Sequence, residues 1–237
     1  GVKRLLNVGL PLHDGARDLA EDWTPVTLAR AVLSVCNEAG AHRLVPVATG
    51  FLGYAAHALA VQAPDRVAAI GHHDWLVERP PSTIASLLGS YVDCQSQGEE
   101  ELLEQEQWKA FRDRMLKTLQ SKAGESARHS LDMTLARANA QVLRRSASYV
   151  KAALDSLGSP ETSLERLPRS MPVAFVASGE TAKPWNRLAV ERLANTHPQL
   201  LLSYVPAGAL PHLDHPVKVA RAIAPIMFDV SQSMQSK

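Results

Sequence analysis

Residues 43–62 read RLVPVATGFLGYAAHALAVQ and contain an apolar segment, a glycine turn and a helix-forming segment rich in alanine. Arg43–Ala48 predicts a short β-strand because apolar and β-branched residues fill most of it. Tyr54–Gln62 predicts a helix that ends at Pro64, since proline cannot continue a helix interior. The small residues of the turn allow the strand and the helix to pack closely. The stretch therefore predicts one strand–turn–helix unit of an α/β fold.

The same alternation continues on the N-terminal side of this unit and just beyond it. Residues 4–8 predict a first strand, and Val26–Ala39 predicts a helix that begins after Thr24-Pro25 and ends at Gly40. Residues 66–71 predict the third strand. Strands and helices in this order indicate a parallel sheet with right-handed crossovers.

In the C-terminal part of the sequence, predicted strands and helices alternate again. Strands are predicted at 172–177 and 200–205, and helices at 185–195 and 217–228. A polar tail begins at Ser231, and we expect it to fray. These elements extend the mostly parallel sheet of the first part.

Between these two groups of strands lies a block without a strand pattern. Its apolar residues, such as Trp108 and Met115, recur at helical spacing, which is typical of helix packing. We therefore predict a helical cap at residues 81–164, inserted after the third predicted strand. The α/β core would consist of residues 1–80 and 165–237.

Composition excludes several classes of protein. The 237 residues are 46% hydrophobic, which is enough for a sizeable core, and the net charge of +1 disfavours a nucleic-acid binder. Two cysteines, Cys36 and Cys94, provide neither a disulfide framework nor a thiolate metal cluster. No apolar run reaches the roughly 18 residues that a membrane span needs. A cytoplasmic protein without a membrane or nucleic-acid partner is the expectation.

The turn Thr49-Gly50-Phe51 lies where a nucleophile elbow would place its reactive residue. An elbow of the pattern G-x-S-x-G holds a strained serine between a strand and a helix. Here Gly50 stands at the centre, and glycine accepts the strained backbone but has no side chain that could attack a substrate. The alternative is an ordinary turn between strand and helix. Both interpretations disfavour a serine esterase.

His212 follows the last predicted strand in a loop rich in glycine and proline, close to His215. Ligands of open α/β sheets bind beyond the carboxyl ends of the strands, which is where this loop lies. A catalytic histidine base needs a carboxylate on its other ring nitrogen, and Asp74 and Glu180 follow neighbouring strands. The alternative for His212 is a histidine of a surface loop.

A metal site is the weaker hypothesis for the same region. A nominal ligand set exists, formed by His72, His73, Asp74, His212 and His215. Adjacent residues at a strand end point to opposite faces, so His72 and His73 would not both face one metal ion. Spacings of the type H-x-x-x-H or H-x-H do not support it either. We therefore predict no metal and no other cofactor.

Several short motifs are spaced as in one known family. They are Asp22-Trp23, Leu44-Val45-Pro46-Val47, Asp74-Trp75, His197-Pro198 and Ser203-Tyr204, followed by the turn that reaches His212. The spacing matches from about residue 8 to residue 75 and from about residue 186 to residue 228. On these residues the chain resembles the α/β-hydrolase superfamily, and within it the cofactor-independent 3-hydroxy-4-oxoquinoline and quinaldine 2,4-dioxygenases. It departs from them at the elbow, where Gly50 stands at the position of the family's serine. The resemblance also does not include the strands that come before residue 4 in the family.

The resemblance implies a mostly parallel sheet with a helical cap and a His–Asp dyad. His212 would take a proton from the 3-hydroxyl of a small aromatic substrate, and Asp74 would be its partner. The resulting anion would react with O2 without metal or flavin, and the ring would open with loss of carbon monoxide. Gly50, Phe51 and Trp75 would bind the substrate, with the backbone N–H of Phe51 directed at the oxyanion.

Two functions from different classes follow. The first is an enzyme that uses His212 and Asp74 to deprotonate a small aromatic or enolisable substrate, as an oxygenase, lyase or isomerase. The second is a non-catalytic binding protein with a hydrolase fold that has lost its nucleophile. For either function we expect a small-molecule partner and a homodimer.

Overall fold

The computed structural model describes residues 4–6, 8, 23–74, 129, 149, 152, 153, 155, 160–178, 184–206, 212 and 215–235. Its strands are β1 (Val47–Thr49), β2 (Ile70–His73), β3 (Val173–Ala177) and β4 (Leu200–Tyr204). Its helices are α1 (Pro25–Glu38), α2 (Gly53–Gln62), α3 (Pro160–Glu165), α4 (Pro184–Thr196) and α5 (Pro216–Gln235). A 3₁₀ turn, Gly50–Leu52, joins β1 to α2.

The four strands form one parallel sheet in the order β1-β2-β3-β4. Thr49 is the register partner of His73, and His73 is in turn the partner of Val176 on β3. The carboxyl ends of β1, β2 and β3 therefore lie side by side at one edge of the sheet. This parallel sheet with flanking helices confirms the predicted α/β architecture.

Helices cover both faces of the sheet. On β3, Phe175 packs into a cluster with residues of α1, α2 and α4, whereas Val176 packs with Ile223 and Ile226 of α5. This division follows from the alternation of side chains along a strand. The two faces of the sheet therefore pack into two clusters of buried residues.

Helix α1 begins as the sequence predicted. The hydroxyl of Thr24 accepts a hydrogen bond from the N–H of Thr27 at 3.1 Å, and the hydroxyl of Thr27 accepts one from the N–H of Thr24 at 2.8 Å. This reciprocal cap satisfies two of the backbone donors at the helix end. Pro25 occupies the first helical position, and Gly40, with a φ of 65°, follows the C-terminal residue Ala39.

The predicted strand at residues 4–8 is wrong for the residues that the structure describes there. Residues 4–6 and 8 are not in a strand, and Leu5 is 89% exposed. A strand residue of the sheet would be covered by helices, so this exposure excludes Leu5 from the core. The guanidinium of Arg4 instead donates to the carbonyl oxygen of Ala39, at the end of α1. Among the described strands, the predicted insertion at residues 81–164 thus follows the second one and not the third.

The next two strands begin later than the sequence predicted. Leu44 and Val67 form an isolated parallel bridge, but the continuous ladder starts only after Pro46, whose nitrogen has no hydrogen to donate. The ladder then extends further, so that His72 and His73 lie inside β2 and not in the loop after it. At the C-terminus, α5 continues to Gln235, so the expectation of a frayed tail from Ser231 is wrong up to that residue.

The described residues of the predicted cap are helical, and some of them belong to the core. Tyr149 and Ala153 are 2% and 0% exposed and pack in the same cluster as α1 and α2. Most of residues 81–164 lies outside the described residues. Within the described part of the chain, no helix has both the length and the apolar character that crossing a membrane requires.

Candidate active site

The turn after β1 has the backbone shape of an elbow. Gly50 adopts a φ of 52°, in the left-handed region that residues with a side chain rarely occupy. A Cβ atom at this position would lie 3.9 Å from the carbonyl oxygen of Asp74, the nearest contact among the described residues. Glycine is therefore favoured here by backbone conformation and not by crowding. The centre of this turn therefore has no side chain that could act as a nucleophile.

Asp74 follows β2 at the same edge and is held from β3. Its Oδ1 atom accepts hydrogen bonds from the hydroxyl of Ser178 at 2.7 Å and from the backbone N–H of Ser178 at 3.2 Å. Asp74 itself has a φ of 54°. The side chain is 17% exposed, and Ser178 is fully buried. The carboxylate is therefore fixed in orientation at the carboxyl end of the sheet.

His212 reaches this edge from the segment after β4. Its ring centroid lies 4.7 Å from that of His73, with the two rings tilted by 37°. The backbone of His212 is helical, so the predicted loop is wrong at this residue. The glycine and proline residues around it suggested a loop, but proline also fits the first turn of a helix. The structure thus brings His212 beside the residue that precedes Asp74.

His73 is a site residue that sequence reasoning considered only as a metal ligand. Its Nδ1 atom lies 3.1 Å from the hydroxyl of Thr49 and 3.8 Å from Oδ2 of Asp74. The side chain is 6% exposed. The alternation along β2, together with the pairing of its end with the end of β1, was the signal that could have identified it.

His72 points to the opposite face and belongs to a buried polar group. Its Nε2 atom lies 2.7 Å from Nε2 of His57 on α2, and Nδ1 of His57 lies 2.8 Å from the hydroxyl of Ser163 on α3. Burial lowers the pKa of His57 to about 4. Burial also lowers the pKa of His72, and the charges of His57 and His73 act in the same direction. Both rings are therefore neutral near pH 7, and one Nε2–H donates to the other ring.

The opposite orientations of His72 and His73 agree with the expectation from strand geometry. His72 faces α2 and His73 faces His212, so the two rings do not converge on one ion. Within the described ranges, no group of three His, Cys, Asp or Glu side chains is arranged to hold a metal ion.

The elbow is also linked to the predicted cap. The hydroxyl of Tyr149 donates a hydrogen bond to the carbonyl oxygen of Phe51 at 3.2 Å. Burial raises the pKa of Tyr149, so its hydroxyl keeps its proton. The other predicted residues of this region, Trp75 and Glu180, lie outside the described residues.

Several solved structures resemble this chain, although no protein-family model and no curated protein matches it. A 1H-3-hydroxy-4-oxoquinoline 2,4-dioxygenase has a TM-score of 0.72 and 20% identity over 91% of this chain and 78% of that one. AqdC, described in recognition and ring-cleavage of the Pseudomonas quinolone signal, has a TM-score of 0.70 and 19% identity over 90% and 76%. The enol-lactonase from Burkholderia xenovorans LB400 has a TM-score of 0.66 and 13% identity over 92% and 78%.

These neighbours share one fold and differ in the reactions that they are named for. Identities of 13–20% support a statement about architecture. The parallel sheet with helices on both faces agrees with this shared architecture. The chain therefore has the α/β-hydrolase fold, in a form that resembles the 2,4-dioxygenases.

Proposed function

We propose that this chain is a cofactor-independent enzyme in which His212 acts as a general base and Asp74 is its partner. Its substrate would be a small aromatic or enolisable molecule, and ring-opening dioxygenation of a hydroxyquinolone is the reaction that we favour. The observation that carries the proposal is the contact of His212 with His73, next to the fixed carboxylate of Asp74. This arrangement lies at the carboxyl ends of the strands, at the same edge of the sheet as Gly50.

The proposed reaction begins with proton transfer from a substrate hydroxyl to the imidazole of His212. A carboxylate close to the resulting imidazolium stabilises its charge and holds the ring in one tautomer. The bonds from Ser178 would keep Asp74 oriented for this role. The substrate anion then reacts with O2, and the ring opens with loss of carbon monoxide.

The elbow would serve as a binding surface in this reaction. Gly50 has no side chain, so a substrate could lie close to the backbone of the turn. We propose that the N–H of Phe51 donates to the negatively charged substrate oxygen and that Trp75 contacts the aromatic ring. Acylation of the elbow, the first step of a serine hydrolase, has no nucleophile at this position.

Two of the structural neighbours support an aromatic substrate. A 3-hydroxy-4-oxoquinoline 2,4-dioxygenase and a protein that cleaves the ring of a quinolone signal share the fold. An enol-lactonase and a thermophilic esterase from Thermogutta terrifontis share it as well. Gly50 disfavours a serine-dependent reaction, and the imidazole of His212 favours proton abstraction.

A non-catalytic binding protein is the second candidate. The specific observation in its favour is again Gly50, because the fold retains the left-handed turn but not a nucleophile. In that case the site at the strand ends would bind a small aromatic molecule and release it unchanged. A cytoplasmic location and a homodimer remain predictions for either candidate.

One experiment separates the two candidates. We would measure O2 uptake and product formation with a panel of 3-hydroxy-4-quinolones, and binding of the same compounds by fluorescence. Turnover that falls about 10²–10⁴-fold in His212→Ala supports the enzyme, since this is the usual contribution of a general base. His215→Ala is the matched control and should retain activity. Binding without turnover would support the binding protein, and neither binding nor turnover would contradict both.

A further inference from the structure

We infer that His73 is a positioning residue that holds the imidazole of His212, and that Thr49 in turn holds His73. The inference rests on the proposed function of His212. It adds a residue that neither the sequence motifs nor the general chemistry of a His–Asp dyad requires. Two contacts that are independent of each other carry it.

The first contact fixes His73 to the sheet. Thr49 and His73 are register partners on adjacent strands, so their side chains emerge from the same face. The 3.1 Å contact between the Thr49 hydroxyl and Nδ1 of His73 adds a hydrogen bond to this pairing. Threonine is stiff at χ1, so its hydroxyl is itself well placed. The His73 ring is therefore held by two strands.

The second contact is the packing of the His212 ring against the His73 ring. The ring centroids are 4.7 Å apart with a tilt of 37°, which is within the range of favourable aromatic pairs. His73 is 6% exposed, whereas His212 is only partly buried. The buried and hydrogen-bonded ring of His73 is thus a fixed surface, and the more exposed ring of His212 packs on it.

Such a surface matters because His212 lies outside the strands. Its segment follows β4, whereas Asp74 follows β2. A base that is misplaced by about 1 Å can lose about 10²-fold in rate. A rigid neighbour one residue before Asp74 gives the imidazole a fixed distance from that carboxylate. His73 would therefore contribute to catalysis through His212 and without touching the substrate.

The test compares two replacements of His73. In His73→Phe the ring is kept, and in His73→Leu the ring is lost while an apolar side chain still fills the space. We would record the ¹⁵N signals of the histidine rings. The signals that are missing from the spectrum of His212→Gln are those of His212. We expect His212 in one tautomer in the wild type and a mixture of tautomers in His73→Leu. In His73→Phe, which keeps an aromatic ring but loses the bond to Thr49, we expect a smaller shift of the His212 signals. Backbone amide spectra establish that each variant is folded.

A matched pair at Thr49 tests the other contact without changing either ring. Thr49→Ser keeps a hydroxyl, and Thr49→Val keeps the branched shape but cannot form the hydrogen bond. We expect Thr49→Ser to resemble the wild type, and Thr49→Val to shift the His212 signals about as far as His73→Phe does, because both variants lose the same hydrogen bond and keep an aromatic ring at residue 73. Where turnover is measurable, kcat should fall about tenfold or more in His73→Leu with KM little changed, because a positioning residue acts through the base.

Three results would overturn the inference. They are unchanged His212 signals in a folded His73→Leu, a loss in His73→Phe as large as in His73→Leu, and a wild type in which His212 already exchanges between tautomers. The ring signals do not depend on a substrate. If no hydroxyquinolone is turned over but the tautomer of His212 still depends on His73, the proposed function fails, and His73 positions His212 without a part in that reaction. If turnover is seen and His73→Leu leaves His212 unchanged, the inference alone fails.

Discussion

Ser178 donates two hydrogen bonds to a single oxygen of Asp74, one from its hydroxyl at 2.7 Å and one from its backbone N–H at 3.2 Å. The two residues follow adjacent strands, β2 and β3, and both are at the carboxyl edge of the sheet. The pair therefore joins the ends of two strands and fixes the carboxylate that we assign to the dyad. Removing the hydroxyl leaves the backbone bond in place, which makes Ser178 a mild probe of that carboxylate.

For Ser178→Ala we expect the free energy of unfolding to fall by about 1–2 kcal/mol, because a hydrogen bond to a carboxylate is lost at a buried position. Urea unfolding measures this change. Ser203→Ala, at a partly exposed serine on β4, is the control and should unfold close to the wild type. An equal effect of the two substitutions would argue against a special role for the bond to Asp74.

Gly50→Ala should be destabilising by about 1 kcal/mol, because a Cβ atom is unfavourable in the left-handed region. The nearest described atom would be 3.9 Å away, so no steric clash adds to this cost. Gly40→Ala is the matched control, since Gly40 has a φ of 65° and lies far from the site. Urea unfolding of both variants should give similar losses, and a much larger loss at Gly50 would indicate crowding.

Serine-directed phosphonates test the elbow chemically. The wild type should remain unlabelled, because Gly50 offers no nucleophile, and Gly50→Ser should become labelled at residue 50. Mass spectrometry of the digested protein locates the label. A labelled serine near the site in the wild type would show that the elbow has been assigned wrongly.

Acid should destabilise the protein through His57 and His72. Burial lowers the pKa of His57 from 6.5 to about 4, so the unfolded chain binds more protons than the folded one between these values. The stability is complete above about pH 6.5 and is lost as the pH falls toward 4, by about 3 kcal/mol for His57 alone. The lowered pKa of His72 acts in the same direction.

Urea unfolding between pH 4 and pH 7.5 measures this dependence. In His57→Gln an amide replaces the imidazole and can bond both His72 and Ser163, so the dependence on pH should be shallower. A stability that stays level down to pH 4 in the wild type would be incompatible with a neutral buried pair.

Asp74→Asn should lose activity along with His212→Ala, since an amide cannot stabilise an imidazolium and favours the wrong tautomer. Glu180→Gln should have much less effect. In His212→Ala, part of the activity should return at a pH above the pKa of the substrate hydroxyl, because the substrate then needs no base. Rates measured against pH check this rescue. A severe loss in Glu180→Gln with a normal Asp74→Asn would point to an ordinary hydrolase triad.

Local features of the sequence were enough to predict most of the sheet and α1. Thr24-Pro25 specified a cap, and the alternation of strand and helix patterns specified parallel strands. The predicted start of β1 was wrong because Pro46 interrupts the ladder. The predicted strand at residues 4–8 was wrong because Leu5 and Leu6 are apolar without being buried. These errors concern which residues pair with a neighbouring strand, and this pairing depends on the partner strand as well as on the segment itself.

The site was predictable in its residue types and less so in its contacts. Asp74 and His212 could be proposed because each follows a strand. The alternation along β2 could have placed His73 at this edge, but its contact with His212 could not be predicted, since it joins residues far apart in the sequence. The same holds for Ser178 and Asp74, whose bond depends on the register of β2 and β3.

The burial of Tyr149 limits how this protein can be re-engineered. A cap such as the one that we predict at residues 81–164 is a natural target for replacement by the cap of another protein. A graft that removes all of residues 81–164 would also delete Tyr149 and Ala153, which fill the core, and Ser163, which bonds His57. A new cap would therefore have to retain Tyr149, Ala153 and Ser163, or provide side chains that fill the same space and bond His57.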